Sequence, residues 1–332
     1  MLASIRDHWH RLKARARAAA AGRIKLGSAA YRKRVQEEIE HYAGLYSRGE
    51  APALMEPAPA AWAELQRRAA RLIQERTGAD LTGHVTALLN QRQGARMLSL
   101  GSGPGGVEFV FARETRAAEI LCLDFNPAAL ELGRQAAVAE NLNVTFAQAD
   151  LNRVELEPGQ FDVVFCHASL HHVFELERLL AQIQRTLRPS GVLVAVDIVT
   201  RNGYRMWPET KRLAGAIFQA LPARYRLNHT AYLPRRRVDA KIWDGDTRGA
   251  GMECLRSEDV LPLLQSRFDT EHFVPHFSLC RRFFDTMYGP NYDLTRPLDR
   301  ATLDWIWQLD CHCLETGQLR PETFFGIFRN PS

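Results

Sequence analysis

Short apolar runs of strand length alternate with segments of helical periodicity through the middle of the chain. The helix-type segments between the runs cover 127–140 and 176–187. Strand-like runs alternating with helices predict an α/β fold with a mostly parallel sheet. The first predicted strand begins at Arg96, and 119–125, 144–150 and 161–173 follow, with a turn and a fifth strand within 188–199 that ends near Asp197. A helix-strand pair at 257–277, a helical segment at about 280–317 and a last strand at 323–330 complete the pattern.

The flanking sequence divides the chain further. We expect a basic helical region with a Pro-rich linker at 1–60, a helical cover at 61–94 and the strand-rich core at 95–200. An insertion rich in aromatic and basic residues follows at 201–256, and the C-terminal part of the core, with its own helical insertion, occupies 257–332.

A glycine-rich turn follows the first strand, in the sequence MLSLGSGPGG from Met97 to Gly106. Glycine permits a tight turn and the close approach of a ligand, and the helix that follows presents free N–H groups there. Gly101, Gly103 and Gly106 fit the dinucleotide pattern G-x-G-x-x-G, whereas Gly101, Gly103 and Gly105 fit the G-x-G-x-G pattern of S-adenosylmethionine (SAM) sites. The turn alone therefore indicates a nucleotide-type cofactor.

Acidic residues close the next two predicted strands. Asp124 comes about twenty residues after the turn, at the position where a carboxylate accepts hydrogen bonds from ribose hydroxyls. Its position near Asn126 and Pro127 also allows a simpler role as a helix cap. Asp150 closes the third strand, where a carboxylate can accept from an adenine amino group.

As a set, LSLGSGPG, LDFNPAAL, AQAD, FDVVFCHASLHHV and LRPSGVLVAVD resemble the successive motifs of the class I SAM-dependent methyltransferases. The resemblance covers about 95–200 and, more weakly, extends to a bacterial subgroup associated with carbohydrate or secondary-metabolite pathways. It implies a Rossmann-like, seven-stranded, mostly parallel sheet with helices on both faces and strand order 3-2-1-4-5-7-6. One position departs from the family, because Ser99 stands where an acidic residue usually helps to orient the cofactor.

The resemblance also implies roles for individual residues. Ser99, Gly101, Ser102, Gly103 and Gly105 belong to the turn that approaches the methionine part of SAM. Further along the chain, the implied contacts are Asp124 with the ribose, Phe125 with the adenine face, Asp150 and Leu151 with the adenine edge, and Cys166 and His167 along the path to the sulfonium.

Methyl transfer from SAM requires alignment of nucleophile, methyl group and sulfur, and a base only where the acceptor must lose a proton. His167, His171 and Asp197 are the candidate bases, while we expect a structural role for His172. The acceptor is a small molecule that takes the methyl group on oxygen or nitrogen, and 201–256 with the late helical segment should bind it. Arginines such as Arg224, Arg226 and Arg235 would suit an acidic group. A sugar or glycan hydroxyl, a natural-product hydroxyl or amine, and a lipid headgroup all stay open.

Two other functions compete with catalysis of methyl transfer. The chain could bind SAM as an inactive partner or regulatory subunit, which the substitution at Ser99 favours. An NAD-dependent oxidoreductase is the third candidate. It is disfavoured because none of the eight tyrosines has a lysine four residues later.

The charge is concentrated at the N-terminus, which bears on the partners of this region. Residues 1–34 carry ten basic side chains and one acidic one, against a net charge of +5 for the whole chain. This region is an ordinary solvated helix, a helix for a membrane surface or partner, or a transit peptide. We expect no nucleic-acid partner, and the oligomeric state stays open.

The six cysteines show no disulfide framework, which predicts a cytoplasmic protein. Cys311-His312-Cys313 lies in helical sequence, where residues two apart face different directions, so we expect no metal.

Overall fold

A seven-stranded sheet forms the centre of the protein in the computed structural model, which describes residues 25–46, 58–115, 119–230, 236–249 and 251–331. Its order is β3-β2-β1-β4-β5-β9-β8. The strands are β1 (Arg96–Leu100), β2 (Glu119–Asp124), β3 (Val144–Gln148), β4 (Phe161–His167), β5 (Leu187–Ile198), β8 (Asp269–His276) and β9 (Thr323–Arg329), while β6 (Leu227–Asn228) and β7 (Arg237–Val238) form a separate ladder.

The first five strands of the sheet run parallel, and β9 inserts antiparallel between β5 and β8. Because β9 is antiparallel to both neighbours, β8 ends at the same edge of the sheet as β5. Ligands of such sheets bind beyond the carboxyl ends of the strands. This carboxyl edge therefore brings together the segments that follow β1, β2, β3, β4, β5 and β8.

Helices cover both faces of the sheet, which is why its central strands read as continuous apolar runs. One apolar layer packs the sheet against the helix after β4, and a second packs the other face against the helices around β1 and β2. The helices are α1 (Ala29–Tyr46), α2 (Ala60–Thr77), α3 (Leu81–Asn90), α4 (Gly106–Glu114), α5 (Pro127–Ala139), α6 (Leu176–Thr186), α7 (Pro208–Ala220), α8 (Ser257–Arg267), α9 (Cys280–Phe284) and α10 (Pro297–Glu315).

The fold inferred from the sequence is confirmed. The strand order is the 3-2-1-4-5-7-6 order of the resemblance, with β8 and β9 in the places of strands 6 and 7. The predicted fourth strand is too long, because β4 ends at His167 and the 3₁₀ turn Leu170–His172 follows it. The segment at 280–317 is two helices, α9 and α10, joined by a short 3₁₀ turn.

The N-terminal expectations fall largely outside the described residues, which omit 1–24 and 47–57. The described part of this region, α1, lies against the carboxyl edge of the sheet through contacts given below. None of the described helices combines the length and apolar character needed to cross a membrane. The role of 1–34, the segment boundaries and the cytoplasmic location stay predictions.

Candidate functional site

The turn between β1 and α4 is held open by glycines with positive φ. The φ angles of Gly101, Gly103 and Gly105 are 73°, 54° and 84°. A Cβ on Gly101 would lie 2.5 Å from the Cβ of Ser169, and one on Gly105 would lie 2.8 Å from the ring of Phe146. The first glycine thus lets the turn approach the segment after β4, and the third lets α4 begin close to β3.

Asp124 fixes this turn from the neighbouring strand. Its Oδ2 accepts a hydrogen bond from the N–H of Gly103 at 2.9 Å, and its Oδ1 accepts one from the N–H of Asn126 at 2.8 Å. The cap of α5 is Asn126, whose side chain accepts from the N–H of Ala128 at 3.0 Å. The helix-cap role considered for Asp124 therefore belongs to Asn126.

A cavity of about 140 Å³ opens between this turn and α1. One wall is the carboxyl edge of the sheet and the other is one face of α1. The lining residues are Tyr31, Val35, Glu38 and Tyr42 on α1, Gly101, Gly103, Asp124, Phe125, Asn126, Asp150, Leu151, Asn152, Ala168, Ser169, His172 and Val173 on the core, and Met252.

Three buried polar atoms on the core wall have no hydrogen-bond partner among the described residues. They are the hydroxyl of Ser169, the side-chain nitrogen of Asn126 and Nδ1 of His172. Buried polar groups are normally satisfied, and an orphaned one at a cavity indicates a ligand or water that completes it. With the N–H groups of the turn and the carboxylate of Asp124, they make a lining suited to a polar, nucleotide-type cofactor.

Asp150 joins the two walls. The hydroxyl of Tyr31 on α1 donates to the carboxylate of Asp150, with 2.8 Å to each oxygen. Asp150 also accepts from the backbone N–H of Asn152 at 3.0 Å. Burial raises the pKa of Tyr31, and the hydrogen bond to Asp150 raises it further, so the phenol stays protonated and remains a donor.

The profile of the family described as "Methyltransferase domain" matches residues 91–265, which include the turn, Asp124, Asp150 and the strands β1 to β5. The chain belongs to this family, the class I SAM-dependent methyltransferases. Its cofactor is SAM, and the alternative of a nicotinamide cofactor is set aside.

Curated relatives match the same core. A demethylmenaquinone methyltransferase of Thermus thermophilus is 30% identical over 122 residues, 36% of this chain and 56% of the relative. A malonyl-[acyl-carrier protein] O-methyltransferase of Enterobacter lignolyticus is 30% identical over 130 residues, 39% and 45% of the two chains. The chain spans about half the length of the curated relatives it matches.

Solved structures are also similar over a longer span. The [4+2]-cyclase SpnF has a TM-score of 0.49 at 17% identity, covering 89% of this chain and 94% of the other. A SAM-dependent methyltransferase from Mesorhizobium loti has a TM-score of 0.44 at 20% identity, covering 75% and 96%.

Six of the eleven predicted SAM-binding residues line the cavity, and Ser99 and His167 are among those that do not. Gly101, Gly103, Asp124, Phe125, Asp150 and Leu151 line the cavity. Ser102 and Gly105 shape the turn but do not line it. Cys166 is fully buried in β4. The expectation that Cys166 lines the path to the sulfonium is therefore corrected, because its side chain packs in the core layer against α6.

Two of the candidate bases, His171 and Asp197, form a hydrogen bond with each other. Nδ1 of His171 lies 2.6 Å from Oδ1 of Asp197, and Oδ2 of Asp197 accepts from the N–H groups of Ser169 and Leu170 at 3.1 and 2.8 Å. Burial alone would lower the pKa of His171, but Asp197 and Glu253 outweigh it and raise the pKa to about 10. His171 thus holds a proton at neutral pH. Both side chains are buried, so neither fits the base role predicted for it.

His167 is the candidate base that stays accessible. It ends β4 at the carboxyl edge, and its imidazole is stacked on Phe165 with 6.0 Å between ring centroids. Its surface reaches solvent. The protein around the ring nevertheless desolvates it and lowers its pKa, so the imidazole is neutral near pH 7 and can accept a proton.

Ser99 stands where the family usually has an acidic residue, and the following helix brings a carboxyl group to the same place. Glu108, in the first turn of α4, accepts a hydrogen bond from the hydroxyl of Ser99 at 2.5 Å. Its carboxyl group is buried, which raises its pKa to about 7, although the bond from Ser99 opposes the shift. A carboxyl group therefore lies beneath the glycine turn, but it comes from a residue nine positions later.

The α1 wall is the part of the site that sequence reasoning missed. Tyr31, Val35, Glu38 and Tyr42 line the cavity at spacings of four, three and four residues, which places them on one face of the helix. That periodicity is visible in the sequence. Only the fold, however, shows that this face meets the cofactor cavity.

Proposed function

We propose that this chain is an enzyme that transfers a methyl group from SAM to an oxygen or nitrogen atom of a small molecule. The observation that supports it most is the cavity at the carboxyl edge, with the glycine turn and Asp124 on its wall and a neutral, accessible His167 at the end of β4. The alternative of an inactive SAM-binding subunit has less support, because SAM binding alone does not require an accessible imidazole at that edge.

The residues present fit the cofactor. The N–H groups of the turn, the hydroxyl of Ser169 and the amide of Asn126 supply donors, and Asp124 supplies the acceptor for ribose hydroxyls. When bound, SAM supplies an electrophilic methyl group. The chain's own part is to hold the cofactor, exclude water with α1 and accept the acceptor's proton at an imidazole nitrogen of His167.

The cavity is smaller than the ~300–1,000 Å³ of most small-molecule sites. Because α1 forms one wall, its position against the core sets this volume. We infer that α1 moves outward when the cofactor enters, and closure of α1 afterwards would keep the reacting atoms dry.

An aromatic wall with a partly exposed arginine at the same edge supports a small-molecule acceptor. Tyr204 follows β5, and its ring lies 6.1 Å from that of Trp243. The guanidinium of Arg281, which follows β8, lies 5.3 Å from the Tyr204 ring centroid and 5.6 Å from that of Trp62. All four side chains are partly exposed. Such a surface suits a ring-bearing acceptor with an anionic group.

The arginines predicted for the acceptor region are placed differently. Arg224 forms an ion pair with Asp299 of α10 at 2.7 Å and stacks on Tyr225. Its charge is therefore balanced by this carboxylate. Arg226 is partly buried beside the same tyrosine, and Arg235 lies outside the described residues. Arg282 also lies over the Tyr204 ring but pairs with the buried carboxylate of Glu322. Arg281, whose Nε donates to the hydroxyl of Tyr204, is the cation on which we base the proposal.

A carbon acceptor is the competing candidate. One relative is named a ubiquinone/menaquinone biosynthesis C-methyltransferase, from Azotobacter vinelandii, and is 30% identical over 109 residues. An activated ring carbon beside a hydroxyl would also need a base such as His167.

Methyl-labelled SAM, incubated with the protein and a panel of phenols, sugars, amines and quinols, tests the proposal. We expect label in one acceptor class, and mass spectrometry of the product assigns the methylated atom. Binding of S-adenosylhomocysteine (SAH) without label in any class would favour the inactive subunit.

A further inference from the structure

A cluster of two imidazoles and one carboxylate lies on the cavity wall beside α1. Nε2 of His171 is 3.7 Å from Oε1 of Glu253, and Nε2 of His172 is 3.3 Å from Oε2 of the same carboxylate. One ligand atom from each of the three residues lies within 4.8 Å of the others. The two histidines are adjacent in the 3₁₀ turn after β4, and Glu253 comes from the far end of the 201–256 insertion.

Each imidazole has a carboxylate at its other nitrogen. Nδ1 of His171 is 2.6 Å from Asp197, and Nδ1 of His172 is 2.7 Å from Glu38, although the second contact falls outside hydrogen-bond angles. Metal-binding histidines characteristically present this arrangement, in which an outer carboxylate orients the ring and makes the inner nitrogen a better ligand. Both outer carboxylates are almost completely buried.

The distances suit a first-row transition metal. Metal–ligand bonds of about 2.0–2.2 Å at tetrahedral angles separate neighbouring ligand atoms by roughly 3.3–3.5 Å. The two separations of 3.3 and 3.7 Å from Glu253 lie at or near this range. We propose that Nε2 of His171, Nε2 of His172 and the carboxylate of Glu253 bind one divalent ion of the zinc class.

The donor set argues for zinc rather than magnesium or calcium. Two imidazoles and one carboxylate are a common zinc set that leaves a position for water, whereas magnesium and calcium prefer oxygen ligands. Binding of the ion would displace the proton from Nε2 of His171, because an imidazole nitrogen coordinates a metal only when it is deprotonated. Zinc therefore competes with that proton at the site.

The proposed ion would connect three parts of the chain. Glu38 belongs to α1 and also accepts from the N–H of Met252 at 2.8 Å, while Arg34 donates to the carbonyl of Gly251 at 2.7 Å. A metal held by the 3₁₀ turn and Glu253, with Glu38 behind it, would fasten α1 over the cavity. This proposal departs from the sequence expectation of no metal, which concerned Cys311-His312-Cys313.

Calorimetric titration of tag-free, chelator-treated protein with Zn²⁺ tests it, with Mg²⁺ as the comparison. We expect one zinc per chain, no comparable magnesium binding, and a higher melting temperature with zinc. Glu253→Gln removes a ligand and should abolish stoichiometric binding. Glu38→Gln, which removes only an outer carboxylate, should weaken zinc binding about 10- to 100-fold.

His272→Ala is the matched control, because His84 and His272 form another close imidazole pair, with 5.1 Å between ring centroids. It should leave the zinc stoichiometry unchanged. His172→Asn provides a second ligand variant, and circular dichroism confirms that each variant is folded. Failure of the wild type to bind zinc stoichiometrically, or binding that survives in both folded ligand variants, would overturn the proposal whatever the outcome for methyl transfer.

Discussion

The cofactor cavity has two walls that differ in how the chain builds them. The core wall consists of strand ends and turns, and the contact between Asp124 and Gly103 joins the end of β2 to the turn after the adjacent strand β1. Among the described residues, the α1 wall contacts the core through pairs that are distant in sequence, such as Tyr31 with Asp150 and Glu38 with His172. A wall made by the sheet is rigid and readable from sequence, whereas a wall made by one docked helix can open.

If the core wall holds the cofactor, filling it should have the largest effect. Gly103→Arg should reduce SAH binding below detection, because the side chain would enter the cavity that Gly103 lines. Calorimetry measures the binding. Gly94→Arg is the control: Gly94 also has positive φ, at 68°, but a Cβ there meets nothing within 4 Å. Equal loss in both variants would indicate backbone strain instead of a filled site.

His167, at the end of β4, tests the proposed chemistry. His167→Asn should lower kcat by about 100-fold or more while SAH binding changes little, because asparagine cannot accept the proton. In the wild type, activity should fall as pH drops through the lowered pKa of His167, and the variant should lack this acidic limb. His272→Asn is the control. An unchanged pH profile in His167→Asn would eliminate this base.

Asp124 measures how much of the affinity comes from the core wall. Asp124→Ala should weaken SAH binding about 10- to 100-fold, since hydrogen bonds to a charged group contribute ~1.5–3 kcal/mol. Asp80→Ala removes the cap of α3 away from the cavity. It should cost about 1 kcal/mol of unfolding free energy and leave SAH affinity unchanged.

The α1 wall should contribute less. Tyr31→Phe keeps the ring but removes the bond to Asp150, and we expect SAH affinity to fall about fivefold, as for one net hydrogen bond of ~1 kcal/mol. Tyr292→Phe removes a hydroxyl that has no partner among the described residues and serves as the control. A larger loss in Tyr31→Phe than in Asp124→Ala would reverse the ranking of the two walls.

Glu108, which lies behind the core wall, has its effect on stability. Its pKa rises from an ordinary 4.5 to about 7 on folding, so its stabilising contribution is present below pH 4.5 and is lost as pH rises through 7. Glu108→Gln should therefore gain stability relative to the wild type between pH 5 and pH 8, by at most on the order of 3 kcal/mol. Denaturant unfolding at both pH values measures it. Exposed Glu157→Gln is the control, and equal differences at both pH values would contradict the account.

Most residues of the core wall could be predicted from the sequence because short, local sequence patterns mark them. A strand, a glycine turn and a helix follow one another at Met97–Glu114, and the acids that close β2 and the region after β3 come at regular intervals. Asp197 and His171 were identified as polar residues at the carboxyl edge, but their mutual contact was not. Burial and pairing, which remove them as bases, depend on packing between β5 and the turn after β4.

The α1 wall and the carboxyl group beside Ser99 were beyond sequence reasoning for the same physical reason. The sequence shows Glu108 only as one residue of the segment after the glycine turn, and Glu38 only as part of the basic N-terminal region. Periodicity shows which residues of a helix share a face. It does not show what that face packs against, and for α1 the answer is the cofactor cavity.

Calorimetric titration of the wild-type protein with SAH, with NADH as the comparison, tests the central claim most directly. The account predicts one SAH per chain, with a dissociation constant on the order of micromolar, and no binding of NADH. Absence of SAH binding by the folded protein would contradict the assignment of the cavity, and with it the proposed methyl transfer.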